Sequence, residues 1–550
     1  MRNITSFGII ALGLIGCSDS QYDPNAPALD PNAPRVHITS PARGTIAGDV
    51  HSVVVTGTAT DDTGVASVVV NDVPASLAAD GTFTVTIPVT PGTNLLHAVA
   101  KDAQGNIGKE SRAVVAGPME AATSQVPNAM TATISAQTFD AIGRGTAGFI
   151  TTGNLQALIA PHNPVLDLGG GPDCLYVQAA ITSMTVHGAD VTLAPQTGGL
   201  FLDAELDQVM IGMHLQYAAA CINGSRDITI AASHISVSGN MTVGLINHAF
   251  DIHLDHPNVQ ITGFDVNFGG IPGAIIDLLH LDTAMGPILG WATEKFVVPM
   301  LNKSLAGLNN TKVVNVLGTM VNVDIAPSRV DFSSDGGIVD LDTRIHAQGD
   351  TGPGFVYVPN TVPAMDLSHG FQLAVADDVP NELLGSLWGA KGLDKTLMLK
   401  TGPYGEIGTL YDSVEIKASV PPYVDATGGS LKLTVGDLMA TFKNGDSVAT
   451  AVAINAFVDV KAVTGTDGQV RFDVGTPTVF VDVLDENIEG ANQLSNAQFE
   501  AITSFALGRI IAVGSGSIGA IPLPTIGGVA LKNLSIAEQT GYLVVGGEVQ

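Results

Sequence analysis

Apolar residues recur at intervals of three and four along residues 271–308, and charged residues fall on the opposite side of the same helical projection. This spacing predicts a long amphipathic helix. Because proline lacks a backbone donor and clashes with the preceding turn, Gly286 and Pro287 predict a kink or a restart. The flanking sequence is predicted to be nearly all strand. We therefore expect this helix to lie against a large sheet, either as ordinary core or as one wall of an apolar channel.

Residues 35–117 show a different pattern, in which apolar and polar residues alternate over short runs separated by Gly, Asp and Pro turns. Alternation with a period of two predicts strands, and turns at this spacing are typical of a β-sandwich. The run also resembles bacterial immunoglobulin-like modules in one turn, formed by Ala100, Asp102, Gly105 and Asn106. We expect the module to act as a spacer or as a weakly docked unit.

Beyond residue 117, one order of strand and helix occurs twice. In the first half, a strand in residues 130–137 leads into a helix from about Thr138 to Ile150. In the second half, a strand in residues 371–378 leads into a helix whose predicted N-cap is Asp378. The pattern therefore predicts an internal duplication.

The second half has a further predicted helix, which begins at Ser495 with a capping box that ends at Gln498. The distance between matching helices is far longer than a solenoid repeat. The duplication is therefore one of whole domains, which we place at residues 118–330 and 331–550.

The charge of the chain restricts its partners. Among 550 residues, 23 Lys and Arg stand against 52 Asp and Glu, which gives a formal net charge of -29. Such a surface repels phosphate backbones and acidic head groups, so we expect the protein to have no nucleic-acid partner. Hydrophobic residues make up 45% of the chain, which is enough to fill several cores.

The first residues predict export. A short positive start and an apolar run over residues 7–15 precede Leu14-Ile15-Gly16-Cys17, which fits a bacterial lipobox. Residues 1–17 are then a lipoprotein signal peptide with Cys17 as the acylated residue, and the alternative is an ordinary secretory leader. Residues 18–34 are rich in Pro and Asp and predict an extended tether. Ser18 favours sorting to the outer membrane, by resemblance to enterobacterial lipoproteins.

Two cysteines remain after Cys17, at positions 174 and 221. In an oxidising compartment, Cys174 and Cys221 are predicted to form a disulfide, whose loop closure would contribute about 4 kcal/mol in the entropic model. Two separate buried thiols are the alternative.

Motifs for covalent chemistry are not evident in the sequence. His248, His253 and His256 lie near Asp251 and Asp255 and suggest a metal site, but a half-solvated strand gives the same pattern. The chain has no zinc-protease, phosphate-loop or nucleophile-elbow motif. We therefore expect no catalytic residue, no resident metal, no cofactor and no enzymatic activity.

The C-terminal run Ile521-Pro522-Leu523-Pro524, with the strand pattern that follows it, is similar to the closing segment of the bactericidal/permeability-increasing and lipid-transfer protein family. Residues 371–393 are similar to a second part of that family, and the order of elements agrees over residues 126–549. The resemblance implies a β-rich α+β fold, with two tandem tubular domains of highly twisted antiparallel sheet wrapped on long helices. It also implies an apolar tunnel for lipid acyl chains in each domain.

Two features depart from that family. Members that neutralise endotoxin have a strongly cationic first domain, whereas residues 120–310 here contain few basic residues. An antimicrobial role is therefore not carried over. The family's disulfide joins a strand to the long helix, but Cys174 and Cys221 both precede that helix, so a different connection is predicted.

The predicted tunnel-lining residues follow from the apolar helix faces. For the first tunnel they are Phe139, Ile142, Ile275, Leu279, Leu289 and Phe296. For the second tunnel they are Leu384, Leu387, Trp388, Phe499, Ile502 and Phe505. Glycines on the helices indicate close approach of a sheet or space for a ligand.

The sequence thus favours a lipoprotein of the outer membrane that binds, and transfers, phospholipid or another hydrophobic ligand without covalent catalysis. The membrane is then a partner through the N-terminal anchor. A surface adhesion or scaffold protein, which binds protein partners through solid β domains, is the alternative. A secreted hydrolase is a third class and has the least support.

Overall fold

The protein is described by a computed structural model. The structure describes residues 33–169, 175–219, 222–268, 270, 308–368, 370–402, 407–427, 430–464, 470–484, 498–501, 503 and 531–549. The predicted kinked helix at 271–307, the leader with Cys17, the cysteines Cys174 and Cys221, and the capping box at 495–497 lie outside the described residues.

The N-terminal module is a β-sandwich, as predicted. One sheet has the strand order β1-β3-β7-β6, and the other has the order β2-β9-β8-β4-β5. Strand β7 shows why the sequence forms two packed sheets. Its residues Phe83, Val85 and Ile87 point inward and alternate with exposed threonines. The strands are β1 Arg35–Ser40, β2 Thr45–Gly48, β3 Ser52–Thr60, β4 Val65–Val70, β5 Val73–Pro74, β6 Ser76–Leu77, β7 Thr82–Pro88, β8 Gly92–Asp102 and β9 Ile107–Ala116.

A seven-stranded central sheet joins the two halves of the body. Its order is β19-β20-β21-β11-β23-β32-β31, so strands from both halves lie in one sheet. The halves meet where β11 pairs antiparallel with β23, with Ala132 opposite Leu373. The strands are β11 Val126–Ser135, β19 Asn310–Val316, β20 Thr319–Ser333, β21 Gly336–Ala347, β23 Phe371–Ala376, β31 Leu531–Gln539 and β32 Tyr542–Val549. A small separate pair consists of β10 Met119–Glu120 and β22 Phe355–Val356.

Each half also has a seven-stranded sheet of its own, which we call the first lobe and the second lobe. The first-lobe strands are β12 Leu166–Gly169, β13 Leu175–Thr185, β14 Gly188–Gln196, β15 Gly199–Ala219, β16 Ile222–Ile246, β17 Ala249–Thr262 and β18 Asp265–Asn267. The second-lobe strands are β24 Lys395–Met398, β25 Ser413–Ala418, β26 Tyr423–Asp425, β27 Leu431–Asn444, β28 Ser447–Thr464, β29 Val470–Val474 and β30 Thr478–Val483.

The two lobes have the same topology, strand for strand. In the first lobe the order is β12-β13-β15-β16-β17, with β14 beside β15 and β18 beside β16. In the second lobe the order is β24-β25-β27-β28-β29, with β26 beside β27 and β30 beside β28. The sheets therefore carry the internal duplication that the sequence pattern predicts, while the residue boundaries of the two domains stay a prediction.

Among the described residues, two helices link the central sheet to the lobes at equivalent places. Helix α1 (Ala136–Thr152) follows β11, and its N-cap Ser135 accepts a hydrogen bond from the backbone N–H of Thr138. Helix α3 (Asp378–Gly389) follows β23. Its N-cap is Asp377, not the predicted Asp378, and the Asp377 side chain makes no capping hydrogen bond because it bonds to Asn360 and Ala426. The shorter helices are α2 Leu155–Ile159 and α4 Ile407–Leu410, and Ala160–His162 is a 3₁₀ turn.

The predicted fold class is confirmed: the chain is β-rich, with an N-terminal β-sandwich and a curled half-barrel sheet. No helix within the described part of the chain is long and apolar enough to cross a membrane.

Candidate functional site

One face of the first lobe is apolar over most of its length, from Leu200 to Tyr217 on β15 and from Ile228 to Val243 on β16. Strand β15 has 21 residues, and its buried positions alternate with exposed ones. At about 3.3 Å per residue, β15 is about 70 Å long, roughly twice the hydrocarbon thickness of a bilayer. The buried apolar side chains on this face of β15 are Leu200, Leu202, Ala204, Leu206, Val209, Ile211, Met213, Leu215 and Tyr217. We call this strip and its neighbour on β16 the inner face.

Strand β16 continues the inner face beside β15. Residues 222–242 of this 25-residue strand pair with β15, with Ala219 opposite Ile222 and Gly199 opposite Thr242. The buried positions of β16 are Ile228, Ile230, Ala232, Ile235, Val237, Met241 and Val243. These side chains belong to one hydrophobic cluster with those of β15. No charged residue stands among these buried positions of the two strands.

The outer face of the same strands is polar. Asp203, Glu205 and Asp207 alternate with the buried residues of β15 and are exposed. Asp207 accepts a hydrogen bond of 2.8 Å from His234 on β16. The sheet therefore has one polar, solvent-exposed face and one apolar, buried face. A sheet of this kind can line either a solid core or a channel.

Helix α1 packs directly on this sheet. Phe139 and Ile142 are buried, and the Phe139 ring lies 5.7 Å from that of Phe332 in β20. At Gly143 a Cβ atom would lie 2.2 Å from the carbonyl oxygen of Val191, so only glycine allows this approach. The helix and the sheet touch at this point and leave no space for a ligand between them.

The other helix glycines divide into two groups. A Cβ atom at Gly145 or Gly148 would meet nothing within 4 Å, and both residues are exposed. A Cβ atom at Gly385 would lie 2.6 Å from the Cβ of Phe355, and one at Gly389 would meet Asp350. Close approach therefore explains Gly143, Gly385 and Gly389, whereas Gly145 and Gly148 lie on the solvent side.

The structure places Phe139 and Ile142 together in the first-lobe cluster. Ile275, Leu279, Leu289 and Phe296, the other residues predicted for the first tunnel, lie outside the described residues. The prediction that all six line one tunnel therefore remains open.

The residues predicted for the second tunnel fall into separate environments. Leu387 is buried in the cluster that the first lobe and the central sheet share, while Phe499 is buried in a second-lobe cluster. The Phe499 ring lies 5.5 Å from that of Phe442. Leu384 and Trp388 are half-buried, and the Trp388 Nε1–H donates a 2.9 Å hydrogen bond to the carbonyl of Ala418. Ile502 and Phe505 lie outside the described residues.

Helix α3 carries buried carboxyl groups that the sequence reasoning missed. Glu382 is fully buried against β21, where it accepts hydrogen bonds from the Thr343 hydroxyl and the backbone N–H of Ile345. Burial raises the pKa of Glu382 to about 8, and burial together with the charge of Asp377 raises that of Asp378 to about 7. In the sequence, these buried groups were indicated by the four-residue spacing of Asp378, Glu382 and Ser386, which places them on one side of the helix. Glu382 fixes α3 on the central sheet, whereas Asp378 bonds to Val358 and Asn360 outside it.

The N-terminal module contacts the second lobe through buried polar side chains, and its role as a spacer stays a prediction. Arg43 of the module bonds to Asp437 and Asp482 of the second lobe and to Glu110 of β9. The Asp482 carboxylate also accepts a hydrogen bond from the backbone N–H of Ser111, at 3.0 Å. Desolvated ion pairs with backbone donors hold the two units in one orientation.

Side chains in the histidine-rich run of residues 248–256 pair with neighbouring residues of the strands. His253 pairs with Asp251 at 2.8 Å, and the Thr242 hydroxyl donates to Asp255. Across the described parts of the chain, no group of three or more His, Cys, Asp or Glu side chains is placed to hold a metal ion.

Comparison with known proteins gives one family match and several structural similarities. Residues 34–117 match the family model of glucodextranase domain B. A crystal structure of lipopolysaccharide binding protein is similar at 13% identity and a TM-score of 0.37, and the match covers 77% of this chain and 98% of that one. No curated protein matches the chain.

Two further solved structures are P47 proteins from Clostridium botulinum. The A2 protein is similar at 8% identity and a TM-score of 0.26, over 77% of this chain and 98% of that one. The E1 protein is similar at 8% identity and a TM-score of 0.24, over 78% of this chain and 100% of that one. With scores this low, the architecture rests on the strand order described above.

Proposed function

We propose that the two lobes bind the acyl chains of a phospholipid or a similar hydrophobic ligand. The observation that carries the proposal is the inner face of β15 and β16. Strands in globular proteins most often have five or six residues. Strands β15 and β16 have 21 and 25 residues, and their buried apolar residues run from Leu200 to Tyr217 and from Ile228 to Val243, a length that suits hydrocarbon chains.

The proposed mechanism is reversible desolvation. Each methylene that leaves water for an apolar surface contributes about 0.8 kcal/mol, so a long chain is held without a charged or covalent contact. The binding step needs no catalytic residue. The repeated topology of the second lobe supports a second binding unit of the same kind.

We further propose that the protein is held at the outer membrane by acyl groups on Cys17. The tether at 18–34 would span about 50 Å when extended at about 3.1 Å per residue. It leads to Arg35, where β1 begins. Since the module is docked on the second lobe, the tether positions the body as a whole.

A pair of substitutions on β15 tests the proposal. Ile211 is buried on the inner face, whereas its neighbour Met210 is exposed on the outer face. If ligand occupies space beside the inner face, Ile211→Trp reduces binding of a fluorescent fatty acid, while Met210→Trp leaves it unchanged. The melting temperature then changes little in either variant.

A solid core gives the opposite result. If side chains fill the space beside the inner face, Ile211→Trp overpacks the core and lowers the stability of the protein by about 1–3 kcal/mol. The unsubstituted protein then binds no fatty acid. That outcome would contradict the proposal and would favour the scaffold function.

A further inference from the structure

A cluster of exposed apolar side chains lies where the central sheet meets the second lobe. In the hairpin of β19 and β20, Val313 is 52% exposed, Leu317 is 44% exposed and Met320 is 42% exposed. We call these three residues the hairpin patch. Exposure of this size is unusual for large apolar side chains that lie close together.

Two contacts hold the hairpin against the second lobe. The ammonium group of Lys395 in β24 donates a 2.8 Å hydrogen bond to the carbonyl of Leu317 at the hairpin turn. Gly392 lies so close that a Cβ atom there would be 2.5 Å from the Thr319 hydroxyl oxygen. Lys395, Gly392 and the hairpin therefore belong to one local surface.

The patch lies at one sheet edge and beside another. Among the described strands, β19 ends the central sheet on one side, and β24 ends the second-lobe sheet. Short edge strands with lysines resist pairing with another sheet. Both strands are short, at 7 and 4 residues, and each carries a lysine, Lys312 and Lys395. The patch is thus poorly suited to strand addition by a protein partner.

The charge around the patch is opposite to that of the whole chain. Lys312, Lys391 and Lys395 are exposed around it. Residues 309–323 contain no acidic residue, and residues 388–402 contain only Asp394. Asp394 is half-buried and accepts a hydrogen bond from the backbone N–H of Ala418. In a chain with a formal net charge of -29, this surface is locally cationic.

We propose that the hairpin patch docks on the surface of a phospholipid membrane. The apolar side chains enter the boundary between head groups and acyl chains, and the lysines lie at the phosphates. The lysines favour lipid over protein as the partner, because protein interfaces are depleted in lysine. The role of the patch in lipid transfer rests on the proposed function, whereas the docking itself does not.

Vesicle binding tests the docking. The full chain carrying Cys17→Ser lacks the acylation site, so its sedimentation with vesicles of phosphatidylethanolamine and phosphatidylglycerol reports the patch and not the anchor. We expect Leu317→Asp with Met320→Asp to weaken binding at least about tenfold, because apolar insertion is lost. Lys312→Gln with Lys395→Gln is expected to weaken binding at low salt and to have little effect at high salt.

Val54→Asp is the matched control, since Val54 is 57% exposed on the N-terminal module, away from the patch. Equal vesicle binding by the patch variants and this control would overturn the proposal. A concentration-dependent dimer that disappears in Leu317→Asp, with vesicle binding unchanged, would also overturn it and assign the patch to a second copy. Unaltered melting temperatures establish that the variants fold.

Lipid that copurifies with each variant separates this inference from the proposed function. Patch variants that retain copurified lipid but lose vesicle binding support the docking role. An unsubstituted protein that binds vesicles but carries no copurified lipid supports the docking and contradicts the proposed function.

Discussion

The guanidinium group of Arg43 donates a 3.1 Å hydrogen bond to the carboxylate of Asp482, across 439 positions of sequence. The same guanidinium bonds to Asp437, which is fully buried. Asp437 in turn accepts a hydrogen bond from the backbone N–H of Ala113. The N-terminal module and the second lobe are therefore joined by a buried network of hydrogen bonds and ion pairs.

Removal of Arg43 should destabilise the protein strongly. Arg43→Ala leaves Asp437 and Asp482 buried without their cation, and breaking a buried pair in this way costs about 3–5 kcal/mol. Urea unfolding monitored by circular dichroism measures the loss. Arg144→Ala is the control, because its pair with Asp140 is exposed and is worth about 0.3–0.5 kcal/mol. Equal midpoints for the two variants would show that the interface does not depend on this network.

Stability should fall as the pH rises from about 6 to about 9. Burial raises the pKa of Glu382 to about 8 and the pKa values of Asp378 and Asp482 to about 7. Because the folded pKa values exceed those of the unfolded chain, the folded protein retains protons that the unfolded chain releases. Their stabilising contribution is complete below about pH 4 and is lost as the pH passes through about 7 to 8.

The melting temperature across this range measures the effect. Glu382→Gln keeps an acceptor for the backbone N–H of Ile345 and removes the titrating group, so its melting temperature should depend less on pH. The Asp378 and Arg344 charges, which act on Glu382, stay unchanged in this variant. A melting temperature that rises towards pH 9 would contradict the assignment.

Two glycines of α1 should respond to alanine in opposite directions. Gly143→Ala places a Cβ against the Val191 carbonyl and forces the helix away from β14, at an expected cost of about 1–3 kcal/mol. Gly145→Ala meets open space and should stabilise the helix by about 0.5–1 kcal/mol. Thermal unfolding of both variants gives the signs. Equal changes would mean that α1 does not touch the sheet at Gly143.

Local patterns in the sequence predicted much of the fold. The alternation of residues in β7 predicted the β-sandwich, and the strand pattern that leads into a helix at about Thr138 predicted α1. Both patterns depend only on residues that are close in sequence. The repeated order of strand and helix in the sequence predicted the duplication. It did not predict that the two lobes have the same strand order.

Contacts between distant residues could not be predicted in the same way. Arg43, Glu110, Asp437 and Asp482 share no period or motif, so the docking of the module had no sequence signal. The sequence predicts Asp378 as the N-cap because acids are common at helix starts, but tertiary packing turns its side chain towards Asn360. The apolar faces of the helices showed which residues are buried, as for Phe139, but not whether side chains or ligand fill the space beside them.

Native mass spectrometry of the full-length protein, purified in a non-denaturing detergent from the membrane of cells that express it, tests the central claim most directly. After allowance for acyl groups on Cys17, the proposal predicts additional mass that corresponds to noncovalently bound lipid and that dissociates on collisional activation. A spectrum that contains only the ligand-free chain would contradict lipid binding by the lobes.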